Sequence, residues 1–364
     1  MYTKIIRLDP LNFSIDQLQE AVDLIKRDEI VAFPTETVYG LGGSAFSETA
    51  VRKIFKAKGR PSDNPMIVHI SDLEMLSSIV KTIPEKIRKL CERFWPGPLT
   101  ILFDKSDKIP DIVTAGLSTV AVRMPSQPLA LALIKTLGIP IAAPSANLSS
   151  RPSPTQAKHV FDDLQGKIPL IIDGGSCDVG VESTVIDVHK GFSVILRPGG
   201  VNLEKLREYL PEIEMYREKN IDKLDEYSPQ SPGLKYKHYS PKAEIVLIEG
   251  SIKFFEEKIV SLYSEYRLQR IIIGIIHTHK NIQISSEILD DPNCKIIYLG
   301  SLDSKTDSDN SINADKIAEG LFSTLRAVDN QKIDLVIVEG ISDKKIGLAV
   351  MNRLRRAASK IIKE

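Results

Sequence analysis

Apolar residues recur at helical spacing over Ser14–Asp28, where Ile15, Leu18, Val22 and Ile25 fall on one face. Ser14 followed by Gln17 predicts a capping box at its start. The pattern then changes to a strand-like run, Glu29–Phe33, closed by Pro34, and returns to the helical period over Ser47–Lys58, with Val51, Ile54 and Phe55 together. Further helices are predicted at Leu73–Thr82, Glu85–Phe94, Gln127–Leu137, Thr155–Gln165 and Leu203–Tyr209. Short β-rich runs bounded by Pro, Gly or polar residues lie at Met66–Ile70, Leu99–Phe103, Thr119–Arg123, Ile139–Ala143, Leu170–Asp173, Thr184–Val188 and Ser193–Leu196. The strands outnumber the helices and do not alternate strictly with them, which predicts a mixed α/β sheet.

Apolar periodicity stops between Pro211 and Lys242, and Ser228–Pro241 (SPQSPGLKYKHYSP) reads as a stiff, Pro-rich linker. Beyond it, Glu244–Glu249, Ile271–Ile276, Ile296–Leu299 and Leu335–Glu339 are continuous apolar runs of buried strands. Helices near Ile252–Arg267, Asn313–Asp329 and Leu348–Ile362 lie between and after them. Four strands joined by crossovers predict a small parallel, Rossmann-like sheet. The expected organisation is thus 1–210, a linker at 211–243, and 244–364.

Composition narrows the function classes. Lys plus Arg and Asp plus Glu both total 48, so bulk charge gives no reason to expect stable binding to DNA or a membrane. No apolar run is long enough to span a bilayer, and the first residues lack the apolar core of a secretory signal. Cys91, Cys177 and Cys294 form no metal-binding or disulfide pattern, which fits a reducing cytoplasm.

Chemistry concentrates at the ends of predicted elements. Between Arg52 and Arg60 lie basic residues and no acidic one, ending in Lys56, Lys58 and Arg60 where a helix turns at Gly59. Such a run suits phosphate or carboxylate, and equally suits a solvated helix end favoured by the helix dipole. Pro34-Thr-Glu-Thr-Val-Tyr-Gly40-Leu-Gly-Gly43 follows a strand and offers hydroxyls and approachable backbone N–H groups; it reads equally as a hairpin or tight turn. It matches neither the P-loop nor the dinucleotide fingerprint. Pro144-Ser145-Ala-Asn147 could bind a nucleotide or cap a helix. Arg123 and Arg197 each end a strand just before a proline, as anion clamps would. His277 and His279 share a face without a third ligand. No nucleophile elbow is present and no cysteine has an obvious base partner, so chemistry here would rest on positioning and charge neutralisation.

The ordered set PTETVYGLG, KAKGRP-x-x-NP, A-x-RMP, APSAN, VESTV and ILRPG, from Pro34 to Gly199, resembles the YrdC-type threonylcarbamoyl-adenylate synthase family. The linker SPGLKYKHYSP and the segment Gly347–Ala358 resemble its long, two-domain form. The resemblance implies a twisted mixed α/β domain with a concave, positively charged pocket, a Rossmann-like second domain and a linker folding over the pocket. It implies synthesis of L-threonylcarbamoyl-AMP and pyrophosphate from L-threonine, bicarbonate or CO2, and ATP with Mg2+. Downstream threonylcarbamoyl-transferase proteins then act on tRNA beside the anticodon.

By this resemblance Thr37, His69, Arg123, Ala143 and Ser183 hold threonine. Arg60, Asn64, Thr119, Ser145, Ser153, Arg197 and Tyr236 hold the nucleotide, and Lys56 and Lys58 steer phosphate and carbamate. Tyr236 and His238 belong to a cover that shields a labile mixed anhydride from water. No protein ligand for Mg2+ is assigned. Two other classes stand beside this one: a tRNA-binding module, and a carbamoyl-transfer enzyme of the kind whose related domain occurs in hydrogenase-maturation proteins.

Overall fold

The computed structural model describes residues 2–188, 193–216, 240–300 and 313–364. They divide into two compact units, one holding the chain up to Ser149 and again from Ser153, the other holding Ser150–Pro152 and the residues from 240 on.

The first unit runs β1 (Lys4–Arg7), α1 (Gln19–Lys26), β2 (Val31–Phe33), β3 (Gly40–Ser44), α2 (Glu48–Lys58), β4 (Ile67–His69), α3 (Leu73–Ile79), α4 (Glu85–Phe94), β5 (Leu99–Asp104), α5 (Asp111–Thr114), β6 (Thr119–Arg123), α6 (Pro128–Leu137), β7 (Ile141–Ala143), α7 (Ala157–Leu164), β8 (Leu170–Asp173), β9 (Thr184–Asp187), β10 (Val194–Arg197), α8 (Leu203–Arg207) and β11 (Glu214–Met215). The strands form one mixed sheet of order β1-β8-β2-β3-β7-β4-β6-β5-β9-β10-β11. Ser14 N–H donates to Gln17 Oε1 at 2.9 Å, at a 3-10 turn that leads into α1. Ser47 Oγ accepts from Ala50 N–H to cap α2, and Gly59 ends α2 in the left-handed region (φ 61°), where a side chain would be strained.

The glycine cluster is itself a buried strand rather than an open turn. β3 is antiparallel to both β2 and β7, so its backbone groups bond within the sheet. Glycine is needed at position 42 because a Cβ there would stand 2.4 Å from Ile141 Cγ2 and 2.7 Å from Phe33 Cε1. Glu214–Met215, within the expected linker, pairs in parallel with β10.

Register decides which side chains share a face, because residues opposite one another across a ladder point the same way. His69 lies opposite Arg123, Leu102 opposite Ala121, Thr100 opposite Val185, and Val185 opposite Arg197. Strand alternation adds Thr119 and Ser183 to this face, and Ala143, opposite Ile67, joins them. The opposite face packs into the main core, which takes in residues of α2, α3, α4, α7 and α8. On the first face, α1 and α6 cover the strands out to β7. Beyond them lies a smaller cluster of Ile67, Leu102, Ala121, Val185 and Leu196, to which no described helix contributes.

The second unit runs β12 (Glu244–Glu249), α9 (Ile252–Tyr266), β13 (Ile273–His277), α10 (Ser286–Leu289), β14 (Cys294–Tyr298), α11 (Ala314–Asn330), β15 (Leu335–Glu339), α12 (Gly347–Ala357) and β16 (Lys360–Lys363). Its sheet is parallel throughout, in the order β14-β13-β15-β12-β16. It has five strands where the sequence predicts four. The expected helix Leu348–Ile362 stops at Ala357, because Ala358 turns extended and Ser359 N–H donates to Ile245 O at 2.9 Å. Lys360–Lys363 then pairs with β12.

Candidate active site

Thr35 sets the shape of the loop after β2. Its hydroxyl donates to Val38 O at 2.6 Å and accepts from the N–H groups of Thr37 and Val38. The one Thr35 hydroxyl proton is thereby used, so Thr37 donates across the 2.8 Å contact between the two hydroxyls. Thr37 Oγ1 in turn accepts from Arg123 Nη1 at 2.8 Å. The result is a polarised chain from a buried cation to a backbone carbonyl.

Arg123 is held by hydrogen bonds through Nε and Nη1 and faces a carboxylate at Nη2. Nε donates to Gly97 O at 3.3 Å, and Nη2 lies 2.7 Å from Oε1 of the equally buried Glu36. His69, its neighbour across the β4–β6 ladder, is buried, with Nδ1 lacking a hydrogen-bond partner among the described residues. Burial first, and the nearby Arg123 charge second, hold its pKa down at about 3, so the ring is neutral.

Ser183 and Arg197 form the next group on this face. Arg197 Nε and Nη2 donate to Ser183 O at 3.2 and 3.0 Å, and Nη2 reaches Ser183 Oγ at 3.2 Å. Ser183 Oγ is also 2.7 Å from Thr100 Oγ1. Ser153 Oγ donates to Glu182 Oε1 at 2.6 Å. The loops are sewn together by their backbones. Val179 N–H donates to Glu36 O, Tyr39 N–H to Pro154 O, and Ala146 N–H to Tyr39 O. Thr37, His69, Arg123, Ser183, Arg197, Ser153 and Ser145 are therefore linked through one connected set of loops and strand ends.

The basic run divides. Lys56 is exposed, whereas Lys58 is 2% exposed and donates to Ser145 O and, at 2.6 Å, to Asn147 O. Its ammonium shapes the Ser145 loop. Arg60 Nη2 donates to Asn64 O and Pro65 O at 3.3 and 3.0 Å, folding the turn that presents Asn64. The Asn64 side-chain nitrogen is buried without a hydrogen-bond partner among the described residues. Thr119 and Arg123 stand at opposite ends of β6, roughly 13 Å apart at strand rise. Tyr236 and His238 lie outside the described residues.

Sequence reading missed Glu36, Glu182 and Thr100, and took the Thr35 hydroxyl as a group offered to a ligand where it shapes its own loop. Glu36 sits inside the PTETVYG run, where a carboxylate flanked by apolar and hydroxyl residues at a strand end was itself the available signal. Among the described residues no group of three or more His, Cys, Asp or Glu could hold a metal. Burial raises the Cys91 thiol to about 12 and the Cys294 thiol to about 11, and pushes Cys177 up as well, so none of the three is a ready nucleophile. In the second unit, His277 Nδ1 meets His279 O at 2.8 Å and His279 contacts Glu339, a local network that uses both histidines. Among the described residues no helix is long and apolar enough to cross a membrane.

Comparison with known proteins places the whole chain in a family. A family profile described as "Telomere recombination" matches residues 23–199, and one described as "Threonylcarbamoyl-AMP synthase, C-terminal domain" matches residues 201–359. The chain is 44% identical over 348 residues to the threonylcarbamoyl-AMP synthase of Pyrococcus abyssi, covering 95% of this chain and 96% of that one. It is 44% identical over 351 residues to the Bacillus subtilis threonylcarbamoyl-AMP synthase, covering 96% and 95%. The crystal structure of P. abyssi Sua5 complexed with L-threonine aligns with a TM-score of 0.86 at 41% identity, over 100% of both chains. Matched from end to end at this identity, the chain belongs to the threonylcarbamoyl-AMP synthase family, in its two-domain YrdC-type form, and is a nucleotidyltransferase of that activity.

Proposed function

We propose that the chain makes L-threonylcarbamoyl-AMP and pyrophosphate from L-threonine, bicarbonate or CO2, and ATP. The observation that carries this reading is the buried junction of Arg123 with Thr37, in a chain aligned throughout with a Sua5 crystallised with L-threonine. Arg123 takes the threonine carboxylate, with Thr37, His69, Ala143 and Ser183 around it. His69, held neutral, adds no charge that competes with the guanidinium. Arg60, Asn64, Thr119, Ser145, Ser153 and Arg197 take the nucleotide. The separation of Thr119 from Arg123 along β6 suits two ligands held side by side.

In the reaction, the threonine amine, freed of its extra proton, adds to the carbon of CO2 (bicarbonate first losing its oxygen as water) and releases a second proton to solvent, giving N-carboxythreonine. A carbamate oxygen of this then attacks the α-phosphorus of ATP. The new P–O bond forms as the bond to the β-phosphate oxygen breaks, and pyrophosphate leaves with the electron pair. The chain's contribution is to hold mutually repelling anions in line and neutralise them. Mg2+ arrives with ATP as part of the substrate, coordinated by phosphate oxygens and water. Cytoplasmic threonylcarbamoyl-transferase proteins then pass the product to tRNA. The test is pyrophosphate release by purified full-length protein with ATP, Mg2+ and bicarbonate. Release that depends on threonine is expected, and threonine-independent or absent release overturns the reading.

A further inference from the structure

Among the buried carboxylates of the first unit, Glu36 is the one whose side chain meets Arg123, and the proposed chemistry gives it no role. Glu36 is 6% exposed, and its Oε1 lies 2.7 Å from Arg123 Nη2. Yet neither Glu36 oxygen, nor Arg123 Nη2, meets hydrogen-bond geometry with any described residue. Buried ions ordinarily use their hydrogen-bonding capacity, because leaving it unmade costs the desolvation of each group. Arg123 is meanwhile held through Nε by Gly97 and through Nη1 by Thr37. The unused capacity is therefore concentrated where the two opposite charges meet.

Charge balance shows what would use it. Glu36 and Arg123 cancel, so a zwitterion brings no net charge into the junction, provided each of its ends finds an opposite charge. Its carboxylate has Arg123. Its ammonium is balanced in charge only by an anion, and the other groups assigned to threonine are neutral: the Thr37 and Ser183 hydroxyls, the His69 ring and the backbone of Ala143. Glu182, the residue before Ser183, already accepts from Ser153 Oγ. We infer that Glu36 is the acceptor for the α-ammonium of the amino-acid substrate, with Arg123 taking its carboxylate, so that the internal pair and the zwitterion form four alternating charges. This rests on the threonine reading of the site and adds a residue that selects for a free α-amino group.

The test is calorimetric titration of the full-length protein and its Glu36→Gln variant with L-threonine and with (R)-3-hydroxybutanoate, which is threonine without its amine. The wild type is expected to favour threonine by at least about tenfold. Glu36→Gln is expected to lose about 10- to 100-fold for threonine, the worth of a charge-assisted hydrogen bond, while binding the hydroxy acid equally well or better. An equal loss for both ligands means that Glu36 only orients Arg123, and overturns the inference. Should the variant not fold, the wild type decides alone, since parity between the two ligands also overturns it. Failure of the wild type to bind threonine overturns the threonine reading, and this inference with it; parity overturns this inference alone.

Discussion

Lys58 lies beneath the Ser145 loop and donates its ammonium to the Ser145 carbonyl oxygen. The same nitrogen reaches Asn147 O at 2.6 Å and Asn147 Oδ1 at 3.4 Å. A residue in a basic run thus acts as an internal strut, and the Ser145 side chain keeps its place beside Asn147 Oδ1, at 2.5 Å, because of it.

Lys58→Met keeps the aliphatic length but leaves those carbonyls without their buried donor. A loss of about 2–3 kcal/mol is expected in urea denaturation, in the range for unsatisfied buried acceptors and charged donors. Weaker ATP binding should accompany it, since the loop carrying Ser145 loses its support. Lys56→Met, at an exposed position on the same helix, should leave stability within about 0.5 kcal/mol of wild type. Equal stability of Lys58→Met and wild type would remove the strut from the account.

Arg123→Met strands Glu36 as a buried carboxylate without its cation. Breaking such a pair from one side costs about 3–5 kcal/mol, whereas removing both charges is far milder. The double variant Arg123→Met with Glu36→Gln should therefore be more stable than Arg123→Met alone, and still fail to bind threonine. A double-mutant cycle in chemical denaturation checks the coupling. Additive losses would mean that the two ions do not meet in solution.

His69 gives the fold a pH dependence with a defined sign. Unfolding returns the imidazole to its ordinary pKa of 6.5, while burial and Arg123 hold it at about 3 in the folded chain. Between those values the unfolded chain takes up a proton that the folded chain refuses. The stability contributed by keeping His69 neutral is intact above pH 6.5 and is lost as the pH falls towards 3, by up to about 1.4 kcal/mol per unit. From pH 7 to pH 5 the wild type should lose about 2 kcal/mol more than His69→Gln. Parallel pH profiles for the two proteins would show that His69 titrates normally.

Much of this was legible in the sequence because the relevant signals are local. The helical period of α2, its Ser47 cap and its Gly59 stop are set by neighbouring residues. What the sequence hid depends on partners far along the chain. Gly40–Ser44 reads as a turn until Phe33 and Ile141 are seen to pack where its side chains would be. Lys360–Lys363 reads K-I-I-K, two adjacent isoleucines between lysines, which continues a helix as readily as it starts a strand, and pairing with β12 decides between them. Arg123 could be read as an anion clamp from its place before Pro125, but nothing in its surroundings announced Glu36, which lies 87 positions earlier and meets it only across the sheet.

Gly199 explains the second glycine-bearing motif in the same terms. A Cβ at this position would stand 2.2 Å from Glu182 O and 2.4 Å from Thr184 N, against backbone on both sides of Ser183. Backbone cannot swing aside as a side chain can, so Gly199→Ala must push the Glu182–Thr184 segment away from β10. Arg197 loses its geometry as well, because it is aligned by Ser183 O and Oγ. A destabilisation of about 1–3 kcal/mol is expected from overpacking, together with a fall in activity greater than that stability loss explains at a temperature where the variant is fully folded. Gly138→Ala is the control. It replaces a glycine at positive φ (74°), a different constraint, with nothing within 4 Å of its Cβ. It should cost stability through backbone strain alone and leave turnover unchanged. If both variants lose activity only in proportion to their unfolded fraction, the close approach at Gly199 has no bearing on how Ser183 and Arg197 are held.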